Sequence, residues 1–405
     1  MKKNILLGFV CLLVLGFAFV PARAVAADSV KVGVVLPLTG AMAKFGEIEK
    51  LSFDLALEEI NAAGGINGKK LELLIEDTTG RPDVGRSVVE KLITKDKVVM
   101  VGGGYSSSVT YAAAGVCQQN QVPFLVNTGS ADKITTSGWD YIFRLNPPVS
   151  KYASAVESLL QEVVKPQTVA ILHENSLFGT KGASAFEKTC DNLGYKVVLK
   201  EGYEHGGIDF KPVLVQVKQK NPDIVYMISY VMDAALIMKQ AKELKLTPKM
   251  FVGAGAGFTL PEFQQNAGVA GDKLISATLW HQVLPYPGAM DYYNKFLAKF
   301  NKTTEYHGAE AYAACYVIAD ALKRAKSFSS ADVRQALLET DMMTVFGPVK
   351  FGDWGKMKNQ NTAETYVVQW IDGNLELVWP KVCAGVKCTT SEFVYPVDWL
   401  KSWGY

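Results

Sequence analysis

Two short stretches combine glycine with hydroxyl-bearing residues, a combination suited to binding an anion. The first spans residues 102–108 (GGGYSSS) and the second spans residues 127–130 (NTGS). Glycine lets a ligand approach the backbone, hydroxyl groups donate hydrogen bonds, and free N–H groups at a helix N-terminus attract negative charge. The hydroxyl groups that we predict to bind a carboxylate are those of Ser106, Ser107, Thr128 and Ser130. The alternative for Ser106 is that it only caps a helix.

The same stretches lack the partners that catalysis or a metal site would need. A hydrolytic serine requires a histidine base and an orienting acid, whereas the four histidines are scattered along the chain and no GxSxG sequence is present. The glycine-rich loop has neither the lysine nor the spacing of a nucleotide-binding loop. No histidines stand at metal-ligand spacing. We therefore expect a binding protein that is not an enzyme and has no cofactor and no metal.

The elements that must position these loops alternate between strands and helices. Predicted strands cover residues 30–38, 70–76, 98–102 and 122–126, then residues 168–173, 196–199, 224–228 and 250–252. Segments with helical spacing of apolar residues follow most of them, which is typical of a parallel sheet covered by helices on both faces. The series restarts after Pro147-Pro148, so we predict two doubly wound α/β lobes. Ligands of such sheets bind beyond the carboxyl ends of the strands, here in a cleft between the lobes.

Composition and the N-terminus place the protein outside the cytoplasm and away from nucleic acid. The net charge is only +2, which is too small for a surface that must neutralise phosphates. Lysines at positions 2 and 3, an apolar run and small residues up to Ala26 predict a cleaved signal peptide over residues 1–26. The run has about 16 residues, which is short for a membrane anchor.

Export also affects the interpretation of the cysteines. Cys383 and Cys388 bracket a four-residue segment and could pair in an oxidising compartment. Cys117, Cys190 and Cys315 stand among apolar neighbours in helical patterns, which favours buried free thiols.

The order of several loose motifs resembles that of the type I periplasmic binding proteins, and in particular the leucine/isoleucine/valine-binding family of ABC importers. The matching stretches are residues 32–41 (VGVVLPLTGA), 45–46 (FG), 60–68 (INAAGGING), 76–77 (ED), 106–108 (SSS), 178–179 (FG), 222–226 (PDIVY) and 345–351 (VFGPVKF). The resemblance covers about residues 30–375. It implies two lobes that are joined by three crossings, near Pro147, Trp280 and Asn359.

The resemblance also implies a division of the chain and a set of roles. Lobe 1 would comprise residues 28–147 and 280–358, lobe 2 would comprise residues 148–279 and 359–381, and residues 382–405 would form a C-terminal extension. The family's carboxylate-binding positions fall on Ser106, Thr128 and Ser130, and its aromatic wall falls on Phe45, Phe178 and Tyr230. Trp280 could line the same cleft, or it could be purely structural.

One position departs from the family pattern. Members that bind α-amino acids hold the ammonium group with an acid after a strand of the second lobe, and here Gly255 occupies that position. Asp233 and Glu174 are possible substitutes, although each could be a helix cap or a surface charge. An unpaired buried ammonium group would be strongly unfavourable. The sequence therefore slightly favours a carboxylate with an apolar or aromatic body over a branched-chain amino acid.

The function implied is that of a periplasmic, monomeric substrate-binding component. It would close its lobes on a small ligand and present that ligand to a membrane permease that is driven by a separate ATPase. The alternative is an extracytoplasmic sensor of the same fold, in which ligand binding signals instead of feeding transport.

Overall fold

A computed structural model describes residues 29–405, and the predicted signal peptide over residues 1–26 lies outside this range. The strands are β1 (Ser29–Leu36), β2 (Lys70–Asp77), β3 (Met100–Gly103), β4 (Phe124–Val126), β5 (Ile142–Arg144), β6 (Thr168–Glu174), β7 (Lys196–Tyr203), β8 (Ile224–Ile228), β9 (Met250–Gly253), β10 (Ile275–Thr278), β11 (Asp341–Thr344), β12 (Gly347–Lys350), β13 (Gly352–Trp354), β14 (Met357–Gln360), β15 (Tyr366–Ile371), β16 (Asn374–Trp379), β17 (Val382–Cys383) and β18 (Val386–Lys387). The helices are α1 (Ala43–Ala62), α2 (Pro82–Thr94), α3 (Ser107–Gln119), α4 (Lys133–Thr136), α5 (Ser154–Leu159), α6 (Leu177–Leu193), α7 (Lys211–Lys220), α8 (Val231–Glu243), α9 (Pro261–Ala267), α10 (Ala289–Phe300), α11 (Tyr306–Arg324), α12 (Ser330–Leu338) and α13 (Trp399–Ser402).

Two seven-stranded sheets organise these elements into two lobes. The first sheet has the order β13-β14-β5-β4-β3-β1-β2, and the second has the order β16-β15-β10-β9-β8-β6-β7. Six neighbouring strands run parallel in the first sheet and five in the second, and antiparallel pairing occurs only towards one edge of each sheet. The prediction of two doubly wound α/β lobes is confirmed.

The apolar runs in the sequence explain which strands are central. β1 lies between β2 and β3, and its side chains from Val32 to Leu36 are buried on both faces of the sheet. A continuous apolar run is what such a position requires, because helices cover both sides of the sheet. The buried face of α1 is less usual, since it carries Glu49 and Ser52 beside Phe45 and Phe53.

The chain passes between the two sheets three times. It leaves the first sheet after β5, returns after β10 to form α10 and α11, and leaves again between β14 and β15. α11 packs against α1 and β3 of the first lobe. β14 stays in the first sheet as far as Gln360, where its backbone pairs with Arg144.

The C-terminal extension packs on the second lobe. β17 and β18 form a small hairpin that is closed by the predicted disulfide between Cys383 and Cys388. Trp399 contacts Phe251 edge to face at 4.9 Å, and its indole Nε1 donates to the Pro248 carbonyl at 2.6 Å. The other cysteines of residues 29–405, Cys117, Cys190 and Cys315, are free and buried, as predicted.

Within residues 29–405, no helix has both the length and the apolar character that crossing a bilayer requires.

Candidate functional site

A small cavity of about 20 Å³ lies between the lobes, beyond the carboxyl ends of strands from both sheets. It is lined by Tyr105, Ser107, Thr128, Ser130, Tyr152, Phe178, Tyr230, Ala256, Tyr306 and His307. Tyr105 follows β3 and Thr128 follows β4 in the first lobe, while Phe178 follows β6 and Tyr230 follows β8 in the second. The cavity therefore lies where ligands of open α/β sheets bind.

The structure brings most of the predicted site residues to this cavity. Ser107, Thr128, Ser130, Phe178 and Tyr230 line it. Three further predicted residues lie directly behind the lining. Phe45 stacks on Tyr105 with ring centroids 4.3 Å apart, Ser106 is the buried residue between Tyr105 and Ser107, and Gly255 precedes Ala256.

Trp280 is not among the residues that line this cavity. Its indole Nε1 donates to the Val345 carbonyl at 2.8 Å, and its ring packs edge to face on Tyr292. The side chain is fully buried. These contacts fit the structural role that the sequence left open as the alternative.

The two hydroxyl-rich loops lie side by side and bind each other. The Gly129 amide donates to the Gly104 carbonyl at 2.8 Å. The Ser107 hydroxyl oxygen accepts hydrogen bonds from the Ser130 amide at 3.2 Å and from the Ala131 amide at 3.0 Å. These amides are therefore occupied, and the Thr128 hydroxyl donates to Glu49, so the hydroxyl groups of Ser107 and Ser130 are the side-chain donors that remain for a ligand.

Aromatic rings form most of the remaining wall. Phe178 lies 5.9 Å from Tyr230 and 6.4 Å from Tyr152 between ring centroids. The Tyr306 ring stacks on His307 at 3.9 Å. Sequence reasoning did not assign Tyr105, Tyr152, Tyr306 or His307. Only Tyr105 carried a signal, because it stands inside the glycine-rich loop.

Two of the tyrosines have hydroxyl groups without a partner. Tyr105 Oη and Tyr230 Oη are both buried and have no hydrogen-bond partner within residues 29–405. Burial raises the pKa of both phenols, so both are neutral hydrogen-bond donors at physiological pH. Buried polar groups in proteins are nearly always satisfied, and these two lie where a ligand could satisfy them.

Three carboxyl groups lie behind the first-lobe side of the cavity, and sequence reasoning identified none of them. The Glu49 carboxyl group, on α1, accepts hydrogen bonds from the Thr128 hydroxyl at 2.7 Å and from the side-chain amide of Asn127 at 2.9 Å. Glu305 caps α11, and its Oε1 lies 2.7 Å from His307 Nδ1. Glu310, one turn further along α11, is fully buried, and neither of its carboxylate oxygens has a partner in the described part of the chain.

Burial governs the ionisation of these acids. It raises the pKa of Glu49 to about 7, against the opposing effects of His307, Asn127 and Thr128. Burial, together with the charges of Glu49 and Glu305, raises the pKa of Glu310 well above its ordinary value. Near neutral pH the carboxyl groups of Glu310 and, in part, Glu49 are therefore protonated, and a cation bound nearby would favour the loss of these protons.

The two acids that the sequence offered as substitutes at the ammonium position are already bound within the second lobe. Glu174 accepts from the Ser176 hydroxyl and from the Gly179 amide, each at 2.6 Å. Asp233 lies 2.7 Å from His205 Nδ1 and also accepts from the Gly206 amide. Gly255 itself has φ +69°, a conformation that disfavours any residue with a side chain.

Hydrogen bonds across the cavity hold the lobes together. The Ala256 amide of the second lobe donates to Tyr306 Oη at 2.8 Å, and the Thr259 hydroxyl donates to Glu305 Oε2 at 3.0 Å. The Leu177 amide donates to the Ser108 hydroxyl at 3.3 Å. The structure is therefore a closed form in which the cavity is covered from both sides.

Comparison with known proteins gives a consistent result. Residues 29–374 match the family model of the periplasmic binding proteins. The Leu/Ile/Val-binding protein homolog 8 of Brucella abortus is 30% identical over 379 residues, which cover 88% of this chain and 92% of the relative. The Leu/Ile/Val-binding protein homolog 7 of Brucella melitensis is 28% identical over 91% of this chain and 95% of its own.

Solved structures extend the likeness to three dimensions. The branched-chain amino acid transporter substrate-binding protein LivJ of Streptococcus pneumoniae, in complex with isoleucine, has a TM-score of 0.79 and 26% identity, over 87% of this chain and all (100%) of LivJ. A solute-binding protein of an ABC transporter from R. palustris, in complex with benzoate, shares the fold with a TM-score of 0.76 and 17% identity, over 92% of this chain and 100% of that one. The chain belongs to the type I periplasmic binding proteins, as a substrate-binding protein of the Leu/Ile/Val-binding family of ABC importers.

Proposed function

We propose that this protein captures a small carboxylate with a hydrophobic or aromatic body, or a branched-chain amino acid, in the cavity between its lobes and delivers it to an ABC importer. The observation that supports this proposal most directly is the cavity itself. It lies beyond the strand ends of both sheets and joins hydroxyl groups on one side to aromatic rings on the other.

The roles follow from the lining. Ser107, Thr128 and Ser130 would hold the polar end of the ligand, while Phe178 and Tyr230 would cover its apolar body. Phe45, Ser106 and Gly255 would support this lining from behind. We leave Trp280 out of the proposed site, because its ring and its Nε1 are engaged elsewhere.

Ligands of structural relatives are compatible with this cavity. LivJ binds isoleucine and the R. palustris protein binds benzoate. Both molecules join a carboxylate to a compact apolar body, and a wall of aromatic rings with a few hydroxyl groups suits that chemistry. Relatives therefore support the ligand class without deciding between an amino acid and an aromatic acid.

The mechanism proposed is lobe closure. A ligand that contacts both lobes binds the closed form more tightly, and so it shifts the population towards that form. The hydrogen bonds from Ala256 to Tyr306 and from Thr259 to Glu305 exist only when the lobes meet. The closed form would then dock, as a monomer in the periplasm, on a permease that an ATPase drives, and the ligand would be released unchanged.

The proposal is tested by ligand screening with the mature chain, residues 27–405. Thermal-shift assays would compare amino acids, aromatic acids, 2-oxo acids and amides, followed by calorimetry on the hits. A ligand at 100 times its dissociation constant should add about 2.7 kcal/mol to the free energy of unfolding. Failure of all four classes to stabilise the protein would contradict the proposal, and chemical conversion of a bound ligand would indicate an enzyme.

A matched pair of variants tests whether the ligand binds in the cavity. Phe178→Leu removes a ring that lines the cavity, whereas Phe186→Leu removes a buried ring of the same helix that stacks on Tyr226. We expect Phe178→Leu to weaken binding of the best ligand by roughly fivefold or more, since contact area is lost on an aromatic wall. Equal affinities of the two variants would place the ligand elsewhere.

A further inference from the structure

Glu310 stands out among the acids near the cavity, because it is the one whose carboxyl group is not used by the fold. In the described residues, Glu49, Glu174, Asp233 and Glu305 all accept hydrogen bonds from neighbouring side chains or amides. Glu310 is 0% exposed, and both of its oxygens lack a partner there. An acid buried in this way is unfavourable unless something else pairs with it.

Its position relates it to the cavity. Glu310 lies four residues after Tyr306 and three after His307, so all three share one face of α11, and the first two line the cavity. Thr128 also lines the cavity, and its hydroxyl group is the neighbour that favours the ionised form of Glu310. The hydrogen of the Thr128 hydroxyl group is itself donated to Glu49. Glu310 is also close enough to the cavity-lining phenols of Tyr152 and Tyr306 for its ionised form to raise their pKa.

The charges around Glu310 favour a cation over an anion. Glu49 approaches it from α1, and Glu305 lies on its own helix. His307, whose Nδ1 lies 2.7 Å from Glu305 Oε1, is already paired. A ligand carboxylate on this side would meet three acids, whereas an ammonium group would neutralise one of them. The aromatic faces of Tyr152 and Tyr306 would add a favourable contact with the cation.

We propose that Glu310 is the counter-charge for a protonated amine on the ligand, so that the cavity selects amine-bearing acids over the same acids without the amine. This inference rests on the proposed function and makes it more specific. The ammonium group would be held from the first lobe by α11, and not from the second-lobe loop in which Gly255 replaces the expected acid. The carboxylate would then lie towards Ser107 and Ser130, away from the buried acids.

The test uses pairs of probes that differ only in the amine. L-leucine is compared with 4-methylpentanoate, and L-phenylalanine with 3-phenylpropanoate, by calorimetry on the mature protein at pH 7. We expect the wild-type protein to bind the amine-bearing member of its preferred pair roughly 10 to 100 times more tightly, as befits a charge-assisted hydrogen bond. Glu310→Gln should remove most of this preference, and Asp233→Asn, a buried acid of the other lobe, should keep it.

Proton release on ligand binding is a second measurement. If Glu310 had only a structural role, Glu310→Gln would not change it. Glu310 holds a proton in the absence of a cation, because burial and its acidic neighbours raise its pKa. Pairing with an ammonium group should release about one proton per ligand, seen as a dependence of the binding enthalpy on the buffer. Glu310→Gln should release clearly less, the remainder coming from Glu49, whose pKa is about 7.

The outcomes separate the two proposals. An amine preference that survives Glu310→Gln, or equal binding of both members of each pair to the wild-type protein, overturns the role of Glu310 while the proposed function stands. If no member of either pair and no other acid binds, the proposed function fails first. If Glu310→Gln does not fold, equal binding of both members of a pair to the wild-type protein, or binding without proton release, still overturns the role of Glu310.

Discussion

Glu49 illustrates, at the scale of a single residue, how the site shapes the stability of the protein. It lies on the buried face of α1, and its carboxyl group bridges Asn127 and Thr128 in the loop after β4. The bridge fixes a cavity-lining hydroxyl group. It also places an ionisable group where water cannot reach, and burial raises its pKa to about 7.

The consequence is a stability that depends on pH in a defined direction. In the unfolded chain Glu49 loses its proton near its ordinary pKa of 4.5, whereas in the folded protein it keeps the proton up to about pH 7. The free energy of unfolding therefore falls as the pH rises from 4.5 to 7, by about 3 kcal/mol from this residue alone. We expect Glu49→Gln to be more stable than the wild-type protein at pH 8 and similar to it at pH 4.5.

Urea denaturation at the two pH values measures the effect. The side-chain amide introduced by Glu49→Gln could accept from Thr128 and donate to Asn127 Oδ1, which has no partner within residues 29–405, after rotation of the Asn127 amide. The exposed acid in Glu90→Gln serves as a control that should leave the pH dependence unchanged. If Glu49→Gln retains the full wild-type pH dependence, the carboxyl group does not ionise as proposed.

The residues that the sequence could predict were those placed by a local rule. Ser107, Thr128 and Ser130 stand at strand ends in small, hydroxyl-rich loops, and the edge of a parallel sheet brings such loops together. Tyr306, His307 and Glu310 reach the same cavity because α11 packs on α1, more than 240 residues earlier in the chain. Their local sequence is an ordinary helix, so nothing in it indicated the site.

At the scale of elements, the strands that were predicted lie close to those of the structure, but β5 and β10 were not predicted and the helix starts were less accurate. The spacing of apolar residues alone predicts a helix over residues 182–193, whereas α6 begins at Leu177 and is capped by the Ser176 hydroxyl, which accepts from the Phe178 amide. The missing first turn is the part that carries Phe178 to the cavity. Caps of this kind depend on one side chain and do not change the apolar period.

Arg144 connects β14 to the loop that follows β4. Its guanidinium group is buried and donates to Gln360 Oε1 on β14 at 2.6 Å, next to a crossing between the lobes. It also donates to the Ala131 carbonyl at 2.8 Å and to the Thr135 hydroxyl at 3.0 Å. The crossing and the loop that carries Ser130 are thus held by one side chain.

We expect Arg144→Met to destabilise the protein and to weaken ligand binding. Several buried acceptors would lose their donor, which should lower the free energy of unfolding by about 3 kcal/mol or more. The loop over residues 127–131 would also lose its support, so affinity should fall as well. Arg334→Met, which removes a surface bond to the Asp140 carbonyl and a cation–π contact with Tyr141, is the control for urea denaturation and calorimetry. Wild-type affinity in a folded Arg144→Met variant would show that the loop holds its position unaided.

At the scale of the whole molecule, the sequence predicted two lobes but not how they meet. The contacts across the cavity join residues from distant parts of the chain, as Thr259 and Glu305 illustrate. A hydroxyl group facing a carboxylate has no local sequence pattern. Closure is a property of the assembled lobes. The closed form is stabilised by a few hydrogen bonds of this kind and by the contacts of the ligand with both lobes.

The Thr259 bond to Glu305 offers a direct test of closure. Thr259→Val keeps the shape of the side chain but removes the donor to Glu305, a bond that forms only when the lobes are closed, together with a 3.2 Å bond to the Ala256 carbonyl within the second lobe. The closed population should therefore fall. Because apparent affinity scales with the fraction of binding-competent protein, we expect it to weaken by roughly tenfold, the worth of one such bond. Small-angle X-ray scattering of the ligand-free variant should give a larger radius of gyration than that of the wild-type protein. Thr168→Val removes a hydroxyl group that accepts from the Asp223 amide within the second lobe, so it should change stability but neither measurement of closure. Equal affinities and equal radii for the two variants would mean that this bond does not hold the lobes together.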